Sequence, residues 1–242
     1  MEEMKKRINN IALALLLTLS SCVEDMNVPC GWITIEPPVK IEETRSAPEI
    51  DYLVSISRGS SIIMAPTRYS MLNGSITLPT AANYMLTAES CTRTEAESLP
   101  STYGQPRYAG TKAFAVNTGQ STTVSVRCSM DNAAFQLLTD DSFYYTQYEV
   151  TATVGNRTVT LSDTQTMAYF NVDDTTGEAI LSYHVTATTA DGEKGTSSGQ
   201  ITLKRRNLSR LTLKAIAKGQ IGIQIAYDDT FTPIVTEITL EE

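Results

Sequence analysis

Ile221-Gly222-Ile223-Gln224-Ile225-Ala226-Tyr227 sets a bulky apolar side chain at every second position, with small or polar residues between. Successive side chains of a strand point to opposite sides, so this period of two is the signature of a half-buried β-strand. The same spacing recurs outward from it, in Leu211, Leu213 and Ala215, in Tyr148, Val150, Ala152 and Val154, in Phe135 and Leu137, and in Tyr52, Val54 and Ile56. Beyond the N-terminal segment no stretch holds a 3.6-residue period over three turns. The predicted fold class is all-β.

Turn residues sort these runs into two sets. In residues 31–128 the expected strands are 31–35, closed by Pro37 and Pro38; 52–56; 75–78 after the Asn73-Gly74 turn; 83–90; 108–116; and 121–128 after Asn117-Thr118-Gly119. Residues 40–48 and 91–106 read as polar loops. Six runs in roughly 100 residues come close to the about seven strands of a β-sandwich. Residues 129–242 form the second set, with turns at Gly155-Asn156, 173–177 and the hairpin signal Asp191-Gly192. Residues 234–240 are expected to be a last strand that pairs within this second module. Two tandem modules with a junction near Cys128 to Ala133 suit the chain length.

The N-terminal segment reads differently. Lys5, Lys6 and Arg7 precede an apolar run, 11–19, which is shorter than the ~20 residues needed to span a bilayer. A basic patch before a short apolar run is the layout of a cleaved export signal, here residues 1–21. It ends Leu19-Ser20-Ser21-Cys22, which resembles a bacterial lipobox. Small residues fit the processing site, and the Cys22 thiol is the nucleophile that takes the lipid. Each buried CH₂ contributes about 0.8 kcal/mol, so several acyl chains on Cys22 hold a protein stably at a membrane. Residues 22–30 then form a tether, whose Val23-Glu24-Asp25 resembles the surface-export signal of Bacteroidales-type lipoproteins. Without residues 1–21 the chain loses three of 19 basic and two of 27 acidic residues and carries a net charge of −9. That balance argues against nucleic acid, which demands a basic footprint.

Three further cysteines, Cys30, Cys91 and Cys128, leave at least one thiol unpaired. Strand parity puts Cys128 inward with Val124 and Val126, and Cys91 on a polar face.

Ser75-Ile76-Thr77-Leu78-Pro79 followed by Tyr84-Met85-Leu86-Thr87-Ala88-Glu89 resembles the core of carboxypeptidase-regulatory-like domains, which implies a transthyretin-like sandwich for the first module. Phe114-Ala115-Val116 and Gly119-Gln120-Ser121-Thr122-Thr123-Val124 look like the closing hairpin of those domains. With the lipobox, residues 1–130 resemble Bacteroidales surface lipoproteins grouped with fimbrillin-like adhesins. The glycine usual before the core tyrosine is replaced, since this chain reads Ala82-Asn83-Tyr84. The fimbrillin resemblance implies proteolytic processing after Arg45, which would vacate a groove for a strand from a neighbour by β-augmentation.

Catalytic constellations are sparse. His184 is the one histidine, on a polar face with Ser182, Thr186 and Thr188, and neither a metal site nor a nucleophile–base pair can be assembled around it by sequence. Asp140-Asp141, Asp173-Asp174 and Asp228-Asp229 lack the staggered spacing of calcium loops and read as turn formers. Lys204-Arg205-Arg206 with Arg210 is the one basic cluster after the leader and reads as a solvated turn. No cofactor is expected, and the protein is not expected to be an enzyme. The sequence points to an outer-membrane lipid-anchored surface protein in adhesion or associated with fimbriae, with a surface protein or glycan as partner. The alternative is a glycan-binding accessory lipoprotein of a nutrient-uptake system, which needs exposed aromatics; Tyr103, Tyr108, Tyr144 and Tyr145 are the candidates.

Cys22→Ala is expected to stall processing or release the protein from the membrane fraction. A wild-type protein that takes up no radiolabelled lipid precursor would overturn the lipobox assignment.

Overall fold

The computed structural model describes residues 28–34, 38–40, 50–217, 220–228 and 236–238, with side chains for 28–34 and 50–215. The described residues are strands with one short α-helix and one 3₁₀ turn. In chain order the strands are β1 Cys30–Thr34, β2 Pro38–Lys40, β3 Leu53–Arg58, β4 Ser61–Arg68, β5 Ser75–Pro79, β6 Ala81–Glu89, β7 Tyr108–Val116, β8 Ser121–Thr123, β9 Val126–Met130, β10 Ala133–Thr139, β11 Gln147–Val154, β12 Arg157–Leu161, β13 Met167–Phe170, β14 Glu178–Thr188, β15 Lys194–Lys204, β16 Leu208–Ala217, β17 Gln220–Asp228 and β18 Thr236–Ile238. The helix α1, Arg93–Ser98, lies between β6 and β7.

A three-stranded sheet, β5-β1-β8, faces a seven-stranded sheet, β2-β18-β9-β7-β6-β3-β4, around one core. That core holds Ile33 of β1 and Leu78 of β5 against Tyr52, Val54, Ile56, Leu86, Val126 and Cys128. The second core is enclosed by one eight-stranded sheet, β12-β11-β14-β15-β17-β16-β10-β13. Its two halves are joined by the single pair Thr196↔Gln220, so four strands fold over the other four. Phe135, Leu137, Val150, Leu161, Phe170, Leu181, Leu203 and Leu211 fill the space between.

The alternation read from the sequence sets these cores, since Tyr52, Val54 and Ile56 all point inward. Tyr84 Oη donates to Pro79 O at 2.8 Å, and its ring stacks on Phe114 at 5.4 Å. Asn83, just before Tyr84, has φ +70°, a conformation asparagine tolerates better than most residues. β1 lies so close to the β7–β8 turn that a Cβ on Gly31 would sit 2.3 Å from Asn117 O.

Several expectations are corrected. The run 121–128 is two strands: β8 pairs parallel with β1, while β9 joins β7 in the other sheet. The stretch after Phe114 is therefore a crossover between layers and not a closing hairpin. β4 was not foreseen because its exposed edge position imposes no alternation of burial. Two register shifts and Pro66 disrupt this edge, which blunts strand addition there. β18 pairs with β9 and β2, so the last strand belongs to the seven-stranded sheet of the first module and not to the second module. Cys91 is buried, because the chain leaves β6 at Glu89 and turns inward before α1.

The polar stretch 91–106 contains a helix and is a clasp. Thr92 and Glu95 form a capping box that starts α1. The segment then covers β13, the outer strand of the second sheet, whose free backbone groups need partners. Tyr169 N donates to Tyr103 O at 2.9 Å, and Asn171 N to Glu97 Oε1 at 2.8 Å. Arg93 Nη2 donates to Val172 O at 2.6 Å. From the other side, Arg157 donates to Tyr169 O at 2.6 Å and to Thr102 O at 2.7 Å, with its guanidinium 4.7 Å from the Phe170 ring centre. Burial opposes the Arg157 charge, and the Glu97 carboxylate 3.7 Å away offsets that.

Arg157→Ala should lower unfolding free energy by about 2–4 kcal/mol, because two carbonyls lose charge-assisted donors. Arg157→Lys should recover only part of this, since a lysine cannot serve both carbonyls from one rigid fork. Urea denaturation of the soluble Cys22→Ser protein tests both. In that protein Cys30 is half-exposed, whereas burial raises the Cys91 thiol pKa and pushes Cys128 up to about 12. A disulfide-exchange reagent at pH 8 should therefore react with one thiol promptly and with the other two only in denaturant.

Candidate ligand surface

The outer face of the second sandwich carries an ordered array of polar side chains. β11, β14 and β15 are paired so that their outward residues fall into rows. Thr151, His184 and Ser198 form one row; Thr153, Ser182 and Gln200 form the next. β12 extends the rows with Thr160 and Thr158. Antiparallel register fixes these neighbours, and strands lie about 4.8 Å apart, within reach for direct cross-strand hydrogen bonds.

The bonds are made. His184 Nδ1 and Ser198 Oγ are 2.7 Å apart, and Gln200 Nε2 donates to Ser182 Oγ at 3.1 Å. Thr153 and Thr158 hydroxyls meet at 2.8 Å. Beneath the rows, Tyr183 lies across Gly199, where a Cβ would come within 2.5 Å of its hydroxyl. The depression so formed is lined by Thr151, Thr153, Ser182, His184, Ser198 and Gln200. A second, more enclosed groove continues along the same face past Glu149 and Thr186 to Ser162 and Asp163. Such an array can orient a hydroxyl- or amide-bearing ligand.

The sequence had put His184 with Ser182, Thr186 and Thr188 on one face, as found. It missed Thr151, Thr153, Ser198 and Gln200, because residues 194–200 are rich in Gly, Ser and Thr and show no apolar alternation. The signal was available in the Asp191-Gly192 hairpin, since residues equidistant from position 191 must pair, including His184 with Ser198.

Cys22 and Arg45 lie outside the described residues. Asp140 and Asp173 are turn formers, accepting from Ser142 N and from Thr175 N and Thr176 N, bonds that hold both carboxyls below the usual range. Asp174 pairs with Arg93 at 2.5 Å, and Asp228 ends β17. Among the described residues no three His, Cys, Asp or Glu side chains gather as a metal site. The basic cluster is tied inward: Arg205 donates to Asp173 O and Asp174 O, Arg206 to Met130 O, and Arg210 to Gln136 Oε1. Of the four tyrosines proposed as a platform, Tyr108 and Tyr145 are buried and Tyr103 packs against the second core, which leaves Tyr144 exposed.

No helix among the described residues is long and apolar enough to cross a membrane. No functionally curated protein matches the sequence. Among solved structures, a "putative cell adhesion protein" from Bacteroides eggerthii is 11% identical, with a TM-score of 0.38, covering 87% of this chain and 93% of that one. Another so described, from Bacteroides ovatus, is 8% identical with a TM-score of 0.39, over 78% of this chain and 92% of that one. Residues 34–242 match the family described as Domain of unknown function (DUF4493), and the chain belongs to that family.

Proposed function

We propose that the protein is a non-catalytic lipoprotein, held in the outer membrane by acyl chains on Cys22, displayed at the cell surface and acting in adhesion or as a fimbria-associated component. The observation that carries this reading is the way the second module is held. Its chain enters from β9 and leaves to β18, which are neighbours in the first module's sheet, with Thr236 opposite Cys128. The first module, a transthyretin-like sandwich on the sequence resemblance, thus stands between the tether and the polar face. A pull on that face would pass through paired strands and the α1 clasp rather than through a lone linker. Processing after Arg45 would separate β1, the central strand of the three-stranded sheet, and β2, together with the Cys22 anchor, from the rest of the chain and open a groove at Ile33's site; the membrane-held form is therefore the unprocessed one.

The nutrient-uptake alternative asks for a broad aromatic platform, and the burial of Tyr108 and Tyr145 speaks against one. Cells producing the wild-type protein should lose it to external protease and should adhere to host-cell or mucin-coated surfaces more than a deletion strain. Cys22→Ala should abolish both. Protection of the wild-type protein from external protease, or unchanged adherence of the deletion strain, would overturn the reading.

A further inference from the structure

The three-stranded sheet β5-β1-β8 carries no formal charge: none of its strands contains an Asp, Glu, Lys or Arg. The other two sheets carry several each, among them Arg58 and Glu89 in one, Glu149 and Arg157 in the other. The turns at the ends of the small sheet, 73–74 and 117–120, are uncharged too. One side of this sheet closes the first core with Ile33 and Leu78. On the other side Trp32 lies in a row between Thr77 and Ser121, all three exposed. Trp32 is the one tryptophan of the chain and is 45% exposed.

This sheet is also where the tether joins the module. Thr80 N donates to Pro29 O at 2.6 Å, Gly119 N to Cys30 O at 2.9 Å and Trp32 N to Gln120 O at 3.0 Å. The chain is thus fixed to the module from Pro29 onward. Cys22 stands seven residues before Pro29. Fully extended, that stretch reaches at most about 25 Å. A 100-residue domain has a radius of gyration of about 13 Å, so the reach is no more than one domain width. Acyl chains on Cys22 would therefore keep the first module against the bilayer, with β1 as the strand nearest the anchor.

Charge selects the side that turns to the lipid. The chain without its leader is acidic overall, and Glu24 and Asp25 lie in the tether itself, so attraction to anionic headgroups cannot hold the module down. Any carboxylate pressed against a bilayer gives up water at a cost. A side without charge avoids that cost. An indole, with its apolar body and single N–H, suits the headgroup level of a membrane. The polar rows of the second module are also uncharged, but they hold no exposed aromatic ring and belong to the other module.

We infer that the outward side of the three-stranded sheet, with Trp32 at its centre, docks on the lipid headgroup region of the membrane that holds Cys22. The inference rests on the lipid-anchor reading and adds to it the surface that meets the membrane.

Because the chain has one tryptophan, all indole emission reports on Trp32. Acylated wild-type protein in phosphatidylcholine vesicles is compared with the soluble Cys22→Ser protein. In vesicles the emission should move to shorter wavelength and acrylamide quenching should fall several-fold. Lipids brominated near the headgroup end of the acyl chain should quench Trp32 more than lipids brominated at the chain terminus. High salt should leave these readings in place, since no charge carries the contact. Thr77→Asp or Ser121→Asp puts a carboxylate beside the ring and should return the emission to that of the soluble protein, while circular dichroism shows the fold kept. Equal emission and acrylamide quenching in the vesicle-held and soluble proteins would overturn the inference and leave the lipid anchor standing. So would a shift that survives both Asp variants. A shielded Trp32 that brominated lipids do not quench would assign the surface to a second copy of the chain, and so also overturn it. Wild-type protein that takes up no lipid label and stays in solution would overturn the anchor reading and the inference together.

Discussion

Arg107 is the interaction on which the joint between the modules depends. Its side chain, just before β7, is 10% exposed and meets Glu89 from β6 and Asp131 beyond β9. Its Nε also donates to Cys91 O, the carbonyl just before the clasp. Three separate pieces of chain thereby converge on one buried cation. Removing one partner of such a group costs about 3–5 kcal/mol, because the remaining charges stay buried without compensation. The neighbouring Asn132 continues the arrangement, accepting from Arg107 N and donating to Gln105 O. Its backbone carbonyl takes Arg206 N, and Arg205 reaches Asp131 at 3.5 Å. The segment 130–132 is thus a fixed node rather than a hinge.

The topology follows from that node. The chain crosses between modules twice after it has built the first, from β9 to β10 and from β17 to β18, and the two crossings start and end on adjacent strands. A third connection is non-covalent: α1 and residues 99–106 lie on β13. Relative movement of the modules would have to break the side-chain and backbone hydrogen bonds to β13 and its end or unpair β18, and backbone groups left buried without partners are costly. The second module therefore behaves as an insertion into the first, braced on one side. This is a different organisation from two beads on a string, with two separate apolar cores.

How much of this could be read from residues alone depends on what signal each feature leaves. Tyr52, Val54 and Ile56, or Leu211 and Leu213, are legible because burial on one side of a strand forces alternation. β4 leaves no such trace, since neither of its faces is well buried. α1 is only six residues long, too short for periodicity, yet Thr92 and Glu95 stand at capping-box spacing and could have marked its start. The splitting of 121–128 is hidden because Val124, in the link between β8 and β9, and Val126 of β9 are both buried in the same core, so the alternation runs on through the break. β18 was misplaced for a further reason: apolar alternation says that a strand is covered, and never which sheet covers it. Tyr108 and Tyr145 were misjudged because polar neighbours in sequence do not exclude a buried ring in space.

The polar face raises the question of whether it is more than ordinary solvated surface. Threonine suits an exposed strand on propensity alone, but solvated faces usually carry some formal charge as well, and 19% of this chain is charged. Yet the rows Thr151–His184–Ser198 and Thr153–Ser182–Gln200 contain no Lys, Arg, Asp or Glu. Formal charges appear at the margin, in Glu149, Asp163 and Lys194. Charge depletion at the centre with a charged rim is the pattern of recognition surfaces. There is a thermodynamic reason for it. Hydroxyls and amides that already bond one another across strands, as at His184–Ser198 and Gln200–Ser182, keep those partners when water leaves, so their desolvation costs less than that of a lone charge. Their rotamers are also already restricted, which leaves less entropy to lose on contact. Solubility alone would be served better by lysines; a centre of mutually satisfied neutral groups is the arrangement that favours giving up water to a ligand.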